Sequence, residues 1–361
     1  MSSLPSVPAR PTASGRGRVP VVRLGRHRIR TASGRMVGVA MAGTGMPLVV
    51  AHGFAAQGAL YAQTLSRLVS MGFMVVAVDV AGHGRTPPPP FPALRLSAYR
   101  DEFAAAVDAL GIRRAVFMGH SMGGRIVTEL AAERTDATVA LVLVDPVVGR
   151  EWDSQIARLR HNPADGAGLA LRLATDTASL VDPHDLDQTA KILSLLVRSG
   201  LSSPLPRLLP PAAALIGADP SDPLLRTLAA ARIPAVVIHG SLDRPIPLAG
   251  ARQAAATLRA DLVVVEGARH SWLLNDPETL PSIFGQLLKG RLGDAWTAAV
   301  DHAGLDPALA TLDQIEAAML VPDSLAAHLS NRVEFIATST RRPSRYAWRL
   351  ETPPGRLRRV V

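Results

Sequence analysis

Residues 115–133 read AVFMGHSMGGRIVTELAAE, and this stretch decides the fold. Ala115–Met118 is apolar at every position, as a strand covered on both faces requires. Gly124–Glu133 has the pattern of an amphipathic helix. Between them, Gly119-His120-Ser121-Met122-Gly123 fits G-x-S-x-G in the strand-then-helix context that gives the pattern meaning. A serine at the apex of so sharp a turn has strained backbone angles, and a side chain at either flanking glycine would crowd it. The turn lifts the Ser121 hydroxyl above the sheet and aims helix N–H groups at whatever reacts there.

Working outward, the apolar runs Leu48–Ala51, Phe73–Val78, Ala140–Val144, Ala235–Ile238 and Leu262–Val265 repeat the buried-strand pattern. Helical patterns at Gly58–Ser70, Ser97–Ala109 and Glu278–Lys289 alternate with them. Such alternation predicts an α/β fold: a mostly parallel sheet with helices on both faces. About ninety residues without a strand-like run separate Val144 from Ala235. They read as helices at Ser154–Leu159, Gly168–Ala174, Leu186–Leu196 and Leu224–Ala231, an insertion packed over another part of the molecule. Four segments follow: a flexible basic leader (1–19), a core (20–146 and 233–293), a helical insertion (147–232) and a C-terminal extension (294–361). Residues 20–43 suggest one or two β-hairpins. Within the extension, 294–330 looks helical and Val333–Leu350 alternates like a hairpin about Arg341–Ser344.

A serine needs a base, and the base needs an orienting carboxylate. His270, in Gly267-Ala268-Arg269-His270-Ser271, follows the Leu262–Val265 strand, and Asp243, in HGSLDRPIP at 239–247, follows Ala235–Ile238. The carboxyl ends of parallel strands are where such a sheet gathers a site. Asp145 ends the preceding strand and is the alternative acid; Asp243 is preferred because its flanking Gly and Pro residues imply a tight, exposed turn. Two donors are expected for an oxyanion, the backbone N–H groups of Met122 and of Phe54 after His52-Gly53. His52 and the Asp79-Val80-Ala81-Gly82-His83-Gly84-Arg85-Thr86 loop are expected to shape turns.

HGF at 52–54, DVAGHGRT at 79–86, GHSMGG at 119–124, HGSLDRPIP at 239–247 and GARHSW at 267–272 together resemble the α/β-hydrolase family. The likeness is to its branch of small bacterial esterases, cofactor-free haloperoxidase-like enzymes and ring-cleavage-product hydrolases. It covers about residues 36–290. It implies an eight-stranded sheet, a helical cap after the sixth strand and two-step acyl transfer from a small, largely apolar substrate, with no cofactor and no metal. Serine at position 121 argues against the epoxide- and halide-cleaving members, which carry aspartate there. Carbon–carbon hydrolysis, acyl transfer to another acceptor and ligand reception without turnover stay open on the same frame.

Composition sets outer limits. The chain is 48% hydrophobic and 19% charged, with no cysteine and hence no disulfide or thiolate metal site. The net charge of +9 resides at the ends: residues 1–35 hold eight arginines and no acid, and 341–361 hold seven arginines and one glutamate. Without those, the middle stands at −5. Residues 1–35 hold no aromatic and 341–361 only Tyr346 and Trp348, too few for a base-stacking platform, so a nucleic-acid partner is not expected, and solvated tails are favoured over contact with anionic surfaces. No secretory or bilayer-spanning run is seen, which fits a cytoplasmic protein.

Overall fold

The computed structural model describes residues 18–90, 94–180, 186–330, 335–340 and 344–352. Its strands are β1 (Arg18–Val22), β2 (Gly25–Arg30), β3 (Met36–Ala42), β4 (Met46–Ala51), β5 (Phe73–Val78), β6 (Ala115–His120), β7 (Thr138–Val144), β8 (Ala235–Gly240), β9 (Asp261–Val265), β10 (Phe335–Thr340) and β11 (Trp348–Glu351). Nine of these make one sheet in the order β11-β9-β8-β7-β6-β4-β5-β3-β2. From β5 to β9 the neighbours are parallel, and β2, β3 and β11 are antiparallel additions at the edges.

The continuous apolar runs lie in the parallel block because helices cover both of its faces. The period of two sorts the side chains between the layers. In β4, Val49 and Ala51 join a core with the helices Leu96–Ala109, Met122–Glu133, Asp222–Ala230 and Leu248–Leu258. Met46, Leu48 and Val50 join a second core with Ala62–Val69, Thr279–Leu287, Arg291–His302 and Leu312–Met319. Strand β2 exposes Arg26, Arg28 and Arg30, charges that discourage pairing with a further strand at that open edge.

The sequence expectations need three corrections here. The sheet has nine strands and not eight, because β11 of the C-terminal extension adds antiparallel to β9. The expected hairpin in 333–350 does not form: β10 pairs instead with β1, and β11 with β9. Alternation marks a strand, but its partner is set by distant chain, which a local pattern does not encode. Residues 1–17 of the expected leader lie outside the described residues, as do 353–361, whereas Arg18 and Val19 belong to β1.

The extension is also part of the core. Trp296 packs edge-to-face on Phe73 with centroids 5.0 Å apart, and Phe73 meets Phe284 at 5.8 Å. Burying side chains of this size stabilises by about 2–3 kcal/mol each.

Between β7 and β8 the described residues form five helices: Arg150–His161, Pro163–Ala178, Leu186–Ser202, Leu205–Ile216 and Asp222–Ala230. The helix Leu205–Ile216 has no counterpart in the sequence reading because Pro210 and Pro211 look like breakers. Each proline removes one backbone donor, but its fixed φ is itself helical. Among the described residues no helix is long and apolar enough to cross a membrane.

Candidate active site

Ser121 sits between β6 and the helix Met122–Glu133 with φ 54° and ψ −119°, a left-handed conformation that a side chain rarely adopts. The surrounding chain holds it there: Ser121 N donates to Val144 O at 3.0 Å, and Ser121 O accepts from Gly124 N at 2.9 Å. The flanking glycines are required by close approach. A Cβ on Gly119 would lie 2.3 Å from Gly123 O, and one on Gly123 would lie 2.1 Å from Ala51 O.

The three side chains predicted at separate strand ends converge. Ser121 Oγ lies 2.9 Å from His270 Nε2, and His270 Nδ1 lies 2.7 Å from Asp243 Oδ2. With Nδ1–H donating to the carboxylate, Nε2 is bare and accepts from the serine hydroxyl. Asp243 Oδ1 accepts from Ile246 N at 2.8 Å, which fixes the carboxylate plane. The turn is tight and exposed as expected at Leu242 and Arg244, but the Asp243 side chain itself is buried, 6% accessible.

Asp145 does not hydrogen-bond to His270. Its Oδ1 accepts from Gly240 N and its Oδ2 from Trp272 Nε1, both at 2.8 Å, so it braces the two loops that carry Asp243 and His270. Burial, aided by the Asp243 charge, pushes Asp145 well above its ordinary value, against the pull of His270 and of the Gly240 and Trp272 N–H groups toward the carboxylate. Burial also works against Asp243, but the facing His270, His239 and the Ile246 N–H hold it below its ordinary value. Burial would lower His270; the carboxylates of Asp243, Asp145 and Asp176 outweigh it and raise His270 to about 9.

Asp145, His239 and Asp243 place one ligand atom each within 4.8 Å of one another, which is metal-site spacing. Every carboxylate oxygen of the trio is nonetheless a hydrogen-bond acceptor already, and His239 Nε2 donates to Ile246 O at 2.8 Å. What is left is His239 Nδ1, buried without a hydrogen-bond partner and 3.5 Å from Asp145 Oδ1. That donor set fits a proton-sharing network better than a cation cradle.

For the oxyanion, neither Phe54 N nor Met122 N donates to another backbone group among the described residues. Gly53 lets the loop approach the serine, since a Cβ there would lie 3.3 Å from Ser121 Cβ. His52 has the structural part expected of it: Nδ1 donates to Gly53 O at 2.8 Å and Nε2 accepts from Val80 N at 2.9 Å. Burial lowers it to about 4, so it is neutral at pH 7. Asp79 shapes its loop, accepting from Gly58 N at 2.8 Å and Arg85 N at 2.9 Å.

Further residues support the site without a sequence signal of their own. Tyr61 OH donates to His120 Nδ1 at 2.8 Å, and His120 Nε2 donates to the carbonyl of His270 at 3.0 Å. Burial depresses His120 to about 3, and the nearby His270 adds to this. Asp176 reaches the His270 loop from the helical insertion. From the same insertion, Ser199 Oγ donates to Ala55 O at 2.9 Å, beside Phe54, and Ser203 Oγ accepts from Gly84 N at 3.0 Å. His120 lies inside the quoted G-x-S-x-G stretch, but nothing local marks Tyr61 or Asp176 as its neighbours.

A sequence profile of the "Alpha/beta hydrolase family" matches residues 48–280. The chain is 35% identical over 253 residues to a candidate non-heme haloperoxidase of Mycobacterium phage D29, covering 68% of this chain and 89% of that one. It is 31% identical over 244 residues to a monoacylglycerol lipase of Mycolicibacterium smegmatis, covering 64% and 82%. In fold it is similar to an esterase from Rhodococcus sp. ECU1013, with a TM-score of 0.58 at 23% identity over 74% of this chain and 99% of that one. These matches leave a quarter or more of the chain without a counterpart.

Proposed function

The chain belongs to the alpha/beta hydrolase family, and on that premise we propose that it is a serine hydrolase, cleaving a carboxylic ester or similar acyl bond of a small, largely apolar substrate through an acyl-enzyme on Ser121. Ser121 Oγ attacks the acyl carbonyl as His270 Nε2 takes its proton. Asp243 holds the Nδ1–H tautomer and stabilises the imidazolium that forms. The N–H groups of Met122 and Phe54 receive the oxyanion; losing one such donor typically costs about 3–4 kcal/mol of transition-state stabilisation. The proton then passes from His270 to the leaving alcohol. Water, deprotonated by the same nitrogen, attacks the acyl-enzyme, and Ser121 recovers its proton as the acid departs.

The observation that carries this reading is the continuous hydrogen-bond chain from Ser121 Oγ through His270 to Asp243, at 2.9 and 2.7 Å. The elbow strain at Ser121 supports it, as does a 31%-identical relative named a monoacylglycerol lipase. The helical insertion acts as a cap in this account. Its abundant leucine and alanine support an aliphatic acyl pocket, and aromatics make up only 4% of the chain. The test is hydrolysis of p-nitrophenyl esters of graded chain length by wild type and Ser121→Ala. Turnover by wild type and none by a folded Ser121→Ala is the expected result; equal rates from the two, or none from wild type on any ester, would end the reading.

A further inference from the structure

Asp176 stands near the end of the helix Pro163–Ala178, on the insertion and 94 residues from His270 in sequence. It is 3% accessible, and its two oxygens are both spent on one short piece of backbone. Oδ1 accepts from His270 N at 2.9 Å and Oδ2 from Ser271 N at 3.0 Å. A carboxylate taking two adjacent amide N–H groups makes a charge-assisted fork with a defined direction. It fixes the position of the backbone from which the imidazole hangs. A polar cavity of about 200 Å³ adjoins the clamp, lined by Asp176 itself with Arg269, Ser271, Arg345 and Tyr346.

We infer that Asp176 is a positioning residue for His270: the insertion helix that covers the site also holds the base loop in register with Ser121, so that proton transfer is competent when the insertion is docked. The inference rests on the serine-hydrolase reading above and adds a control to the same site. No other side-chain carboxylate bonds the His270 or Ser271 amide among the described residues. If Asp176 withdraws, the His270 segment keeps its contact through His120 Nε2 to the His270 carbonyl, but loses the two bonds to its N–H groups. A reacting group displaced by about 1 Å can lose on the order of a hundredfold in rate.

The charge matters as well as the geometry. His270 is faced by Asp243 beyond β8, by Asp145 beyond β7, by His239 on β8, by His120 at the elbow and by Asp176 from the insertion. Asp176 is one of the groups that raise His270. Neutralising it should therefore move the base to lower pH, an effect that a purely structural role for the helix would not produce.

The experiment compares full-length wild type, Asp176→Asn and Asp176→Glu. Each is assayed for kcat and KM on a p-nitrophenyl ester across pH, for hydrogen exchange of the peptide spanning 266–275, and for Tm. Asp176→Asn should lower kcat by about ten- to a hundredfold with KM changed far less. It should shift the acid limb of kcat/KM to lower pH and speed exchange of the His270 and Ser271 amides. Asp176→Glu, which keeps charge and acceptors, should recover part of kcat and the wild-type limb. Unchanged kcat and limb in Asp176→Asn, or a kcat loss fully explained by the fraction unfolded at the assay temperature, overturns the inference. If wild type itself turns over no ester, the serine-hydrolase reading fails and takes this inference with it; faster exchange in Asp176→Asn would then report only a structural clamp.

Discussion

Two buried carboxylates compete for the part of orienting acid, and replacing each by its amide separates them. Asp243→Asn keeps the shape of the group but leaves one acceptor oxygen where there were two. If that oxygen stays on Ile246 N, the amide NH2 points at His270 Nδ1. The imidazole must then carry its proton on Nε2, where it faces Ser121 Oγ and cannot accept. If the amide flips instead, its NH2 opposes the Ile246 N–H, and an unsatisfied buried donor costs about 1–3 kcal/mol. The wrong tautomer corresponds to a loss of roughly 10³–10⁴ in kcat, or about 4–5.5 kcal/mol of barrier. Asp145→Asn is different: one of the bonds from Gly240 N and Trp272 Nε1 goes, destabilising the fold by about 1–3 kcal/mol, while the Ser121–His270–Asp243 chain is untouched. Its kcat should stay within about tenfold of wild type. The assay is kcat on a p-nitrophenyl ester alongside Tm for both variants. A folded Asp145→Asn that loses three decades while Asp243→Asn keeps most of its activity would refute the assignment.

Two further outcomes follow from the same geometry. Only neutral His270 accepts the serine proton, and its neighbours raise it to about 9, so kcat/KM should climb with pH and its acid limb should lie above 6.5. Stability should run the other way: because the folded value is raised, the contribution of His270 is full below 6.5 and is lost as pH rises through about 9, which a Tm series across pH would read. An acid limb below 6.5 would contradict the arrangement of carboxylates around the base. Trp296→Ala, which removes the ring on Phe73, should cost about 3–5 kcal/mol in denaturant unfolding. A loss below 1 kcal/mol would mean that the extension is a detachable appendage.

Much of this was legible in the sequence for a specific reason. Ser121, Asp243 and His270 each follow an apolar run, and in a parallel sheet the carboxyl ends of strands lie along one edge. Three separate loops could thus be placed together without knowing any contact. Phe54 and Met122 were placed by the same logic, as turn positions after β4 and β6, and their part as oxyanion donors belongs to the proposal. Asp176 was not, because a lone acid on an amphipathic helix looks like any solvated charge; its two partners are backbone groups almost a hundred residues away. The fate of β10 and β11 was hidden for a similar reason. Their alternation marks them as extended, but pairing with β1 and β9 depends on how the whole extension wraps the second face of the sheet. Asp145 illustrates the opposite limit: sequence position allowed it two roles, and only the direction of its oxygens, toward Gly240 and Trp272, distinguishes them.

The central claim is that Ser121 is a nucleophile activated by His270, and covalent trapping tests it most directly. Wild type and Ser121→Ala would be treated with a fluorophosphonate, digested, and the modified peptide located by mass spectrometry. The account predicts one adduct, on the peptide containing Gly119-His120-Ser121-Met122-Gly123, in wild type and none in Ser121→Ala. An adduct on a different residue, or a folded wild type that is never labelled, would contradict it.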